Sequence, residues 1–237
     1  MSTLGSAVIF TEKQYEKRVC QKVQVYIFHH PSQRLIEECE VQERIQQGAQ
    51  GAAVGLPLSQ LCTRAIASTV GAHSFVREKI IYKTWTGDLK VLVWPETVIA
   101  RVLTLRGPDQ YVTEQGTLLP LSRTRTARTL LVEIDAALGE EKIFFQGDCG
   151  RSLCVLLCNL YHNSLWRAQV SHLRLDKDGK VVLHTQIGAQ RIEFGSLKSM
   201  SEKLSKLKLY YEKVIPRKGW SAHKRINLEF DNQIVCA

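Results

Sequence analysis

The stretch Gln186–Cys236 decides the fold, because it reads in order as a strand, a helix and a strand. Residues 190–194, Gln-Arg-Ile-Glu-Phe, alternate polar and apolar side chains, which is typical of a half-buried strand. Residues 225–230, Arg-Ile-Asn-Leu-Glu-Phe, form the second strand, and a polar tip, Asp231–Gln233, joins it to Ile234–Cys236. Between the strands, one helical face carries apolar residues at steps of three and four: Met200, Leu204, Leu207, Tyr211 and Val214. Such a helix must cover a sheet, so we expect the chain to end as part of that sheet and not in a loose tail. Because a terminal strand commonly lies at a sheet edge, we expect residues 225–230 and 234–236 there.

The two ends of this helix carry their own signals. Ser199 and Glu202 have the spacing of a capping box, which predicts the start of the helix. Pro216 and Gly219 predict its end. Four lysines are expected on the other faces of the helix: Lys203, Lys206, Lys208 and Lys213.

Residues 21–95 have the order strand, helix, helix, strand, strand. The first strand spans Val23–Ile27, and Ser32 is expected to cap a helix that carries Leu35, Ile36, Cys39 and Ile45. A second helix is predicted over 58–70, and two strands over 76–85 and 89–93. Residues 1–20 are polar and weakly patterned, which predicts an N-terminal arm. Trp94-Pro95 marks the expected domain boundary.

Residues 96–237 are richer in strands. We expect strands at 99–105, 111–113, 117–121 and 130–134, a helix at 149–161, and a hairpin of 165–175 with 180–187. The fold class is therefore α+β. A β-α-α-β-β domain is followed by a larger, mostly antiparallel β domain with covering helices.

The chain of 237 residues is basic, with a formal net charge of +9 and a pI of about 9.3. A charge of this size suits nucleic acid, an anionic membrane or an acidic partner, and it equally suits a solvated basic surface. Three arginines, Arg123, Arg125 and Arg128, are the residues best placed to bind phosphates, but on a solvated strand they need bind nothing.

The sequence gives no enzyme, metal or cofactor signal. The seven cysteines include no C-x-x-C pair, and Cys149, Cys154 and Cys158 lie in an apolar run where we expect small buried side chains. His172 and His184 are expected to face each other across the hairpin as a polar pair. There is no G-x-S-x-G elbow and no G-x-x-x-x-G-K loop. No apolar run approaches the ~18 residues of a membrane span, and no signal peptide opens the chain.

The C-terminal blocks resemble the bacterial division family FtsQ in its Bacteroidetes form. The matching blocks are residues 165–170 (Leu-Trp-Arg-Ala-Gln-Val), 186–195, 206–211, 219–220 and 226–236. Tyr111-Val112-Thr113 with Gly116 and residues 119–122 resembles the family's strand–turn–strand segment, with Thr113 in place of the usual aspartate. Residues 21–95 resemble the family's POTRA domain, mainly through Tyr82-Lys83-Thr84 and Gly87. The family's usual proline before Arg101 is replaced by Val98.

The resemblance implies a non-enzymatic division scaffold. It implies an inner-membrane protein with its bulk on the periplasmic side, and a membrane span that is not among these residues. It also implies partners of the FtsB/FtsL coiled-coil kind, which add to the terminal strand. The candidate contacts carried over are Trp220, Ser221, Ile226, Leu228, Phe230 and Ile234, with Lys213, Arg217 and Lys218 for acidic residues of the partner.

The sequence leaves one alternative open for the contact residues and two for the function. Ile226, Leu228 and Phe230 could instead simply face the core, in which case binding would use the backbone and the opposite face. Another POTRA-bearing class, an outer-membrane transport or assembly factor, is the second functional hypothesis. A nucleic-acid-binding protein is the third, although we expect no nucleic-acid partner; a salt-dependent DNA titration would test it.

Overall fold

The computed structural model describes residues 18–30, 33–104, 107–122 and 125–237. These residues form two compact units. The first contains the chain up to Glu96 together with Ser122–Ala127, and the second contains Thr97–Leu121 and Arg128–Ala237. Of the predicted N-terminal arm, residues 1–17 lie outside the described part of the chain.

The first unit is a three-stranded sheet with two helices on one face. Leu89, Val91 and Val93 of the central strand are fully buried on the face that the helices cover. The sheet has the order β1-β3-β2, with β1 parallel and β2 antiparallel to β3. The predicted order of elements is confirmed: β1 Val23–Ile27, α1 Glu38–Ala49, α2 Thr63–Gly71, β2 Val76–Lys83 and β3 Leu89–Pro95.

Helix α1 begins later than the sequence pattern predicts. Leu35 and Ile36 are buried in the segment before it. The Glu40 carboxylate accepts a hydrogen bond from the backbone N–H of Glu37 at 2.8 Å, which satisfies one group at the start of the helix. Ser32, the predicted cap, lies outside the described residues.

The second unit is built on a nine-stranded sheet. Its strands are β4 Val98–Leu103, β5 Gln110–Thr113, β6 Leu118–Pro120, β7 Leu130–Ile134, β8 Val170–Leu175, β9 Val181–Thr185, β10 Arg191–Gly195, β11 Arg225–Asn227 and β12 Val235–Cys236. Their order is β12-β11-β10-β9-β8-β7-β4-β5-β6. Five of the eight neighbouring pairs are antiparallel, which confirms the mostly antiparallel prediction. The pairs β4–β7, β7–β8 and β10–β11 are parallel.

Helices cover one face of this sheet and create its core. They are α3 Glu141–Gln146, α4 Asp148–His162, α5 Ser164–Gln169, α6 Met200–Lys213 and α7 Ile215–Lys218. Leucines of α4 and the buried side of α6 pack against the inward residues of the central strands. Fully buried members of this core are Leu153, Leu156, Leu157, Val132, Leu173, Leu183, Ile192, Phe194, Leu207 and Ile226.

Part of the predicted hairpin is helical instead. The side chain of Asn163 accepts hydrogen bonds from the N–H groups of Leu165 and Trp166, so this asparagine caps α5. Trp166 is then buried, and the strand starts only at Val170. The short helix α3, with Phe144 and Phe145 buried, has no counterpart in the sequence-based prediction.

The long C-terminal helix lies where it was predicted, but two details differ. Ser199 has a φ of 49° and its side chain makes no capping bond, so the capping-box prediction is wrong. Lys203 is buried rather than exposed; its Nζ donates to the carbonyl of Ser196 at 2.7 Å and lies 5.2 Å from the centroid of the Phe194 ring. Pro216 belongs to the short helix α7, which ends at Gly219.

In the described part of the chain, no helix combines the length and apolar character that a bilayer span requires. All seven cysteines are free. Cys154 is buried as expected, and burial raises the pKa of its thiol to about 11. Cys149, however, is exposed, because it lies in the first turn of α4 and not on the side that faces the sheet.

Candidate functional site: the C-terminal sheet edge

The last two strands form a hairpin at one edge of the nine-stranded sheet. The prediction placed residues 225–230 and 234–236 at that edge. β11 stops at Asn227 and lies between β10 and β12, so only the second of these two segments is at the edge. Among the described residues, the edge strand β12 pairs with β11 alone. The polar tip between them turns through Asn232, which has a φ of 55°.

The register of the hairpin fixes the direction of the backbone groups at the edge. Arg225 and Ala237 exchange both of their N–H···O=C bonds, each 3.0 Å long. Because hydrogen-bonded and non-hydrogen-bonded pairs alternate in an antiparallel ladder, the next pair, Ile226 with Cys236, is non-hydrogen-bonded. The N–H and C=O of Cys236 therefore point away from β11, toward the open side.

A charged cluster holds the outer face of the hairpin to the rest of the sheet. Arg225 Nε and Nη2 donate to the two carboxylate oxygens of Glu193, both at 2.8 Å, and Asn227 Nδ2 adds a third bond at 3.0 Å. The bonds from Arg225 lower the pKa of the Glu193 carboxyl, because they stabilise its charged form. β11 is thus fixed to β10 by side chains as well as by its ladder.

Helix α6 fixes the chain that leaves β11. Lys206 Nζ donates to the carbonyls of Leu228 at 3.1 Å and of Phe230 at 2.6 Å. On the same loop, the carboxylate of Glu229 lies 3.2 Å from Lys180 Nζ. Two lysines from different elements therefore hold the segment that leads to the edge strand.

A second loop, at Trp220, is tied to the turn before β10. Tyr211 donates its hydroxyl to Gln190 Oε1 at 2.7 Å, and Gln190 Nε2 donates to the Trp220 carbonyl at 3.2 Å. Burial raises the pKa of Tyr211 to about 12, so this hydroxyl stays a donor. Gly188 has a φ of 81°, and a Cβ there would lie 2.6 Å from the Trp220 oxygen. A glycine is needed at this position for the close approach.

Comparison with known families gives this arrangement its context. A family model described as "FtsQ/DivIB, C-terminal related" matches residues 97–237, more than half of the chain. The chain belongs to the FtsQ/DivIB family. A second model, a POTRA-like domain, matches residues 18–94. No curated protein gave a match.

Membership of the FtsQ/DivIB family confirms the resemblance read from the sequence. It associates the protein with cell division, in a family that is membrane-associated, has an extracellular domain and is generally non-enzymatic. Family membership also indicates interaction with other division proteins.

The predicted contact residues divide into buried and exposed groups. The side chains of Ile226 and Leu228 are fully buried in the core, and their backbone is bonded within the protein, so neither residue meets a partner directly. Phe230 is 46% exposed and Trp220 40%, and Ser221 is also exposed. Ile234 is half-buried and packs against the core. The alternative in which three residues face the core therefore holds for Ile226 and Leu228 and not for Phe230.

The three predicted cations are exposed at the end of α6 and on α7. Burial raises the pKa of the Cys236 thiol on the edge strand. Lys218 is close enough that its positive charge lowers this pKa, although burial has the larger effect. Lys213 is the last residue of α6, and Arg217 lies on α7. Val235, which is 47% exposed on the edge strand itself, was not among the predicted contacts, because a two-residue strand has no alternation to detect.

The remaining candidate groups lie away from the C-terminal strands or within the β8–β9 hairpin. His172 and His184 face each other as predicted, with ring centroids 5.4 Å apart. Burial, and then His172, lower the pKa of His184. Arg125 pairs with Glu37 at 2.6 Å, Arg128 is exposed, and Arg123 lies outside the described residues. Among the described residues no group of three potential ligands could hold a metal ion.

Proposed function

We propose that this protein is a non-enzymatic scaffold of the division machinery that binds a coiled-coil partner of the FtsB/FtsL kind by strand addition at β12. In this proposal the protein is anchored in the inner membrane, its two units lie on the periplasmic side, and it links early to late septum-assembly proteins. The observation that carries the proposal is the edge position of β12, where Cys236 directs its N–H and C=O outward.

An added strand takes its affinity from main-chain hydrogen bonds and its specificity from neighbouring side chains. Trp220, in the loop before β11, and Phe230, in the loop between β11 and β12, supply exposed aromatic surface. Lys213, Arg217 and Lys218 supply positive charge for acidic residues of the partner, which accelerates encounter and fixes orientation. The buried Ile226 and Leu228 keep the template rigid without touching the partner.

The test is a Cys236→Pro substitution, because proline is tolerated at an edge position whose N–H faces solvent. This change removes the outward donor and leaves the bonds between Arg225 and Ala237 in place. We expect at least about tenfold weaker binding of the soluble coiled-coil partner, measured by calorimetry, with a cooperative melt retained. Cys236→Ala is the matched control and should bind like the parent protein. Unchanged binding by a folded Cys236→Pro protein would refute strand addition.

Two other variants, Asn227→Pro and a deletion of residues 234–237, would change more than the outward hydrogen bonds of β12. Asn227→Pro would also break the pairing of Asn227 with Val235 and the side-chain bonds to Glu193 and Glu229. Deleting 234–237 would turn β11 into a new edge strand, so it would move the template rather than remove it.

A further inference from the structure

The sheet of the first unit has a second face, and no helix of the described residues in this unit covers it. Because Leu89, Val91 and Val93 point into the core, the alternate residues Lys90, Leu92 and Trp94 point to the opposite side. The register then places one row of side chains across the middle of that side: Tyr26, Leu92 and Ile80. A row at one end holds Gln24, Lys90 and Tyr82, and a row at the other end holds Phe28, Trp94 and Glu78.

These nine residues are called here the aromatic face; six of them are apolar or aromatic, and four of those six are exposed. Tyr26 is 45% exposed, Phe28 48%, Ile80 46% and Tyr82 42%. Phe28 stacks on Trp94 with ring centroids 4.7 Å apart, which makes that end flat. Large side chains of ~150–250 Å² exposed to this degree make a contiguous apolar patch of a few hundred Å², the size that marks interaction sites.

The two charges of the aromatic face lie in opposite end rows. Lys90 is in the row with Tyr82, and Glu78 is in the row with Trp94, with the apolar middle row between them. Within the part of the chain that the structure describes, neither side chain has an ion-pair partner. A patch with one positive and one negative end is complementary to itself when turned end for end.

We propose that the aromatic face docks onto the same face of a second copy of this chain. A two-fold axis along the middle row, across the strands, sets Ile80 against Ile80 of the second copy. It brings Lys90 within reach of Glu78 of the second copy, twice. Two sheets packed face to face in this way form a small sandwich, and a two-fold interface uses the same patch on both copies. An anionic membrane surface would attract Lys90 but repel Glu78, whereas a second copy offers an opposite charge to both, so the charge pattern favours a second copy.

The contact area is at the low end of the range for specific interfaces, where complexes are weak and transient. We therefore expect a dimer that forms at high protein concentration and dissociates on dilution. This association concerns the first unit and is independent of the proposed strand addition at β12.

The test is analytical ultracentrifugation of the whole chain over a concentration series. Ile80→Arg sets two like charges against each other on the axis and should weaken association at least about tenfold. Ile143→Arg, at a 67% exposed isoleucine of the second unit, is the matched control and should associate like the parent protein. Thermal melts of both variants check that they remain folded.

A charge-swap mixture tests the orientation. Glu78→Lys and Lys90→Glu should each weaken association, and an equimolar mixture of the two should restore it, because each unlike pair is then re-formed between different chains. A parent protein that stays monomeric at every concentration overturns the proposal, as does an Ile80→Arg variant that associates normally. The orientation is overturned if the mixture associates no better than its components. Co-sedimentation of a monomeric protein with phosphatidylglycerol vesicles would instead assign the face to a membrane.

Discussion

Replacing Leu207 by alanine tests whether helix α6 belongs to the core or is only a docking face. Leu207 is 0% exposed and lies in the middle of the helix, within the main core cluster of the second unit. Truncating a fully buried leucine costs about 2–5 kcal/mol, since transfer energy is lost and a cavity remains. In a chain of this size each kcal/mol lowers the melting temperature by about 2–4 °C, so we expect a drop of about 4–20 °C.

Leu209→Ala is the matched control, because Leu209 lies on the same helix and is 55% exposed. It should change stability by less than about 0.5 kcal/mol. Both variants are followed by circular dichroism during heating, and partner binding is measured well below the melting temperature. Equal melting temperatures for the two variants, with binding lost in Leu207→Ala, would show that the buried-core reasoning is wrong.

Two further predictions follow from the domain pattern and from Glu193. Limited proteolysis with mass spectrometry should yield a stable C-terminal piece that begins near residue 95, whereas uniform degradation or a first cut within 165–187 would contradict this boundary. Because the folded-state pKa of Glu193 is lowered, its contribution to stability is present above the ordinary glutamate pKa and is lost as the pH falls through the folded value. Glu193→Gln should therefore melt below the parent protein at pH 7, and this difference should shrink below about pH 4; the exposed Glu43→Gln should show no such trend.

Elements with a strong period and a large buried side could be predicted from the sequence. The spacing of Leu207 and Tyr211 placed α6 correctly, and residues 130–134 were predicted as the strand that β7 forms. The pairing of His172 with His184 also followed from the hairpin register. In each case the apolar pattern reports the face that packs, and packing decides the element.

Local signals were less reliable, since tertiary contacts compete with them. Ser199 stands at the start of a helix, but its left-handed backbone turns the hydroxyl away from the role of a cap. Lys203 is polar and yet buried, because its ammonium group lies over the Phe194 ring and donates a hydrogen bond to a backbone carbonyl. Residues 165–169 were predicted as the first part of a hairpin strand, but the side chain of Asn163 caps them as a helix.

The region of the candidate site could be predicted from the sequence, but the strand that forms the sheet edge could not. The pattern correctly brought the chain terminus to a sheet edge, yet it could not show that residues 225–227 pair on both sides. That distinction depends on a parallel pairing with β10, a long-range contact that no local pattern encodes. It matters for function, because the outward backbone groups belong to Cys236 and not to Asn227.

The shortness of β12 limits how a partner can bind. A two-residue edge strand offers little template, which protects a sheet from adding a further copy of itself by accident. It is held by the bonds between Arg225 and Ala237 and by Lys206, which anchors the preceding loop. Main-chain bonds at such a short edge give little affinity alone, so a partner strand must extend to Trp220 and to the cations near Lys218. The prediction that follows is that the dissociation constant of the partner, measured by calorimetry at increasing salt, rises strongly with ionic strength; a constant that does not change with salt would contradict a role for these cations.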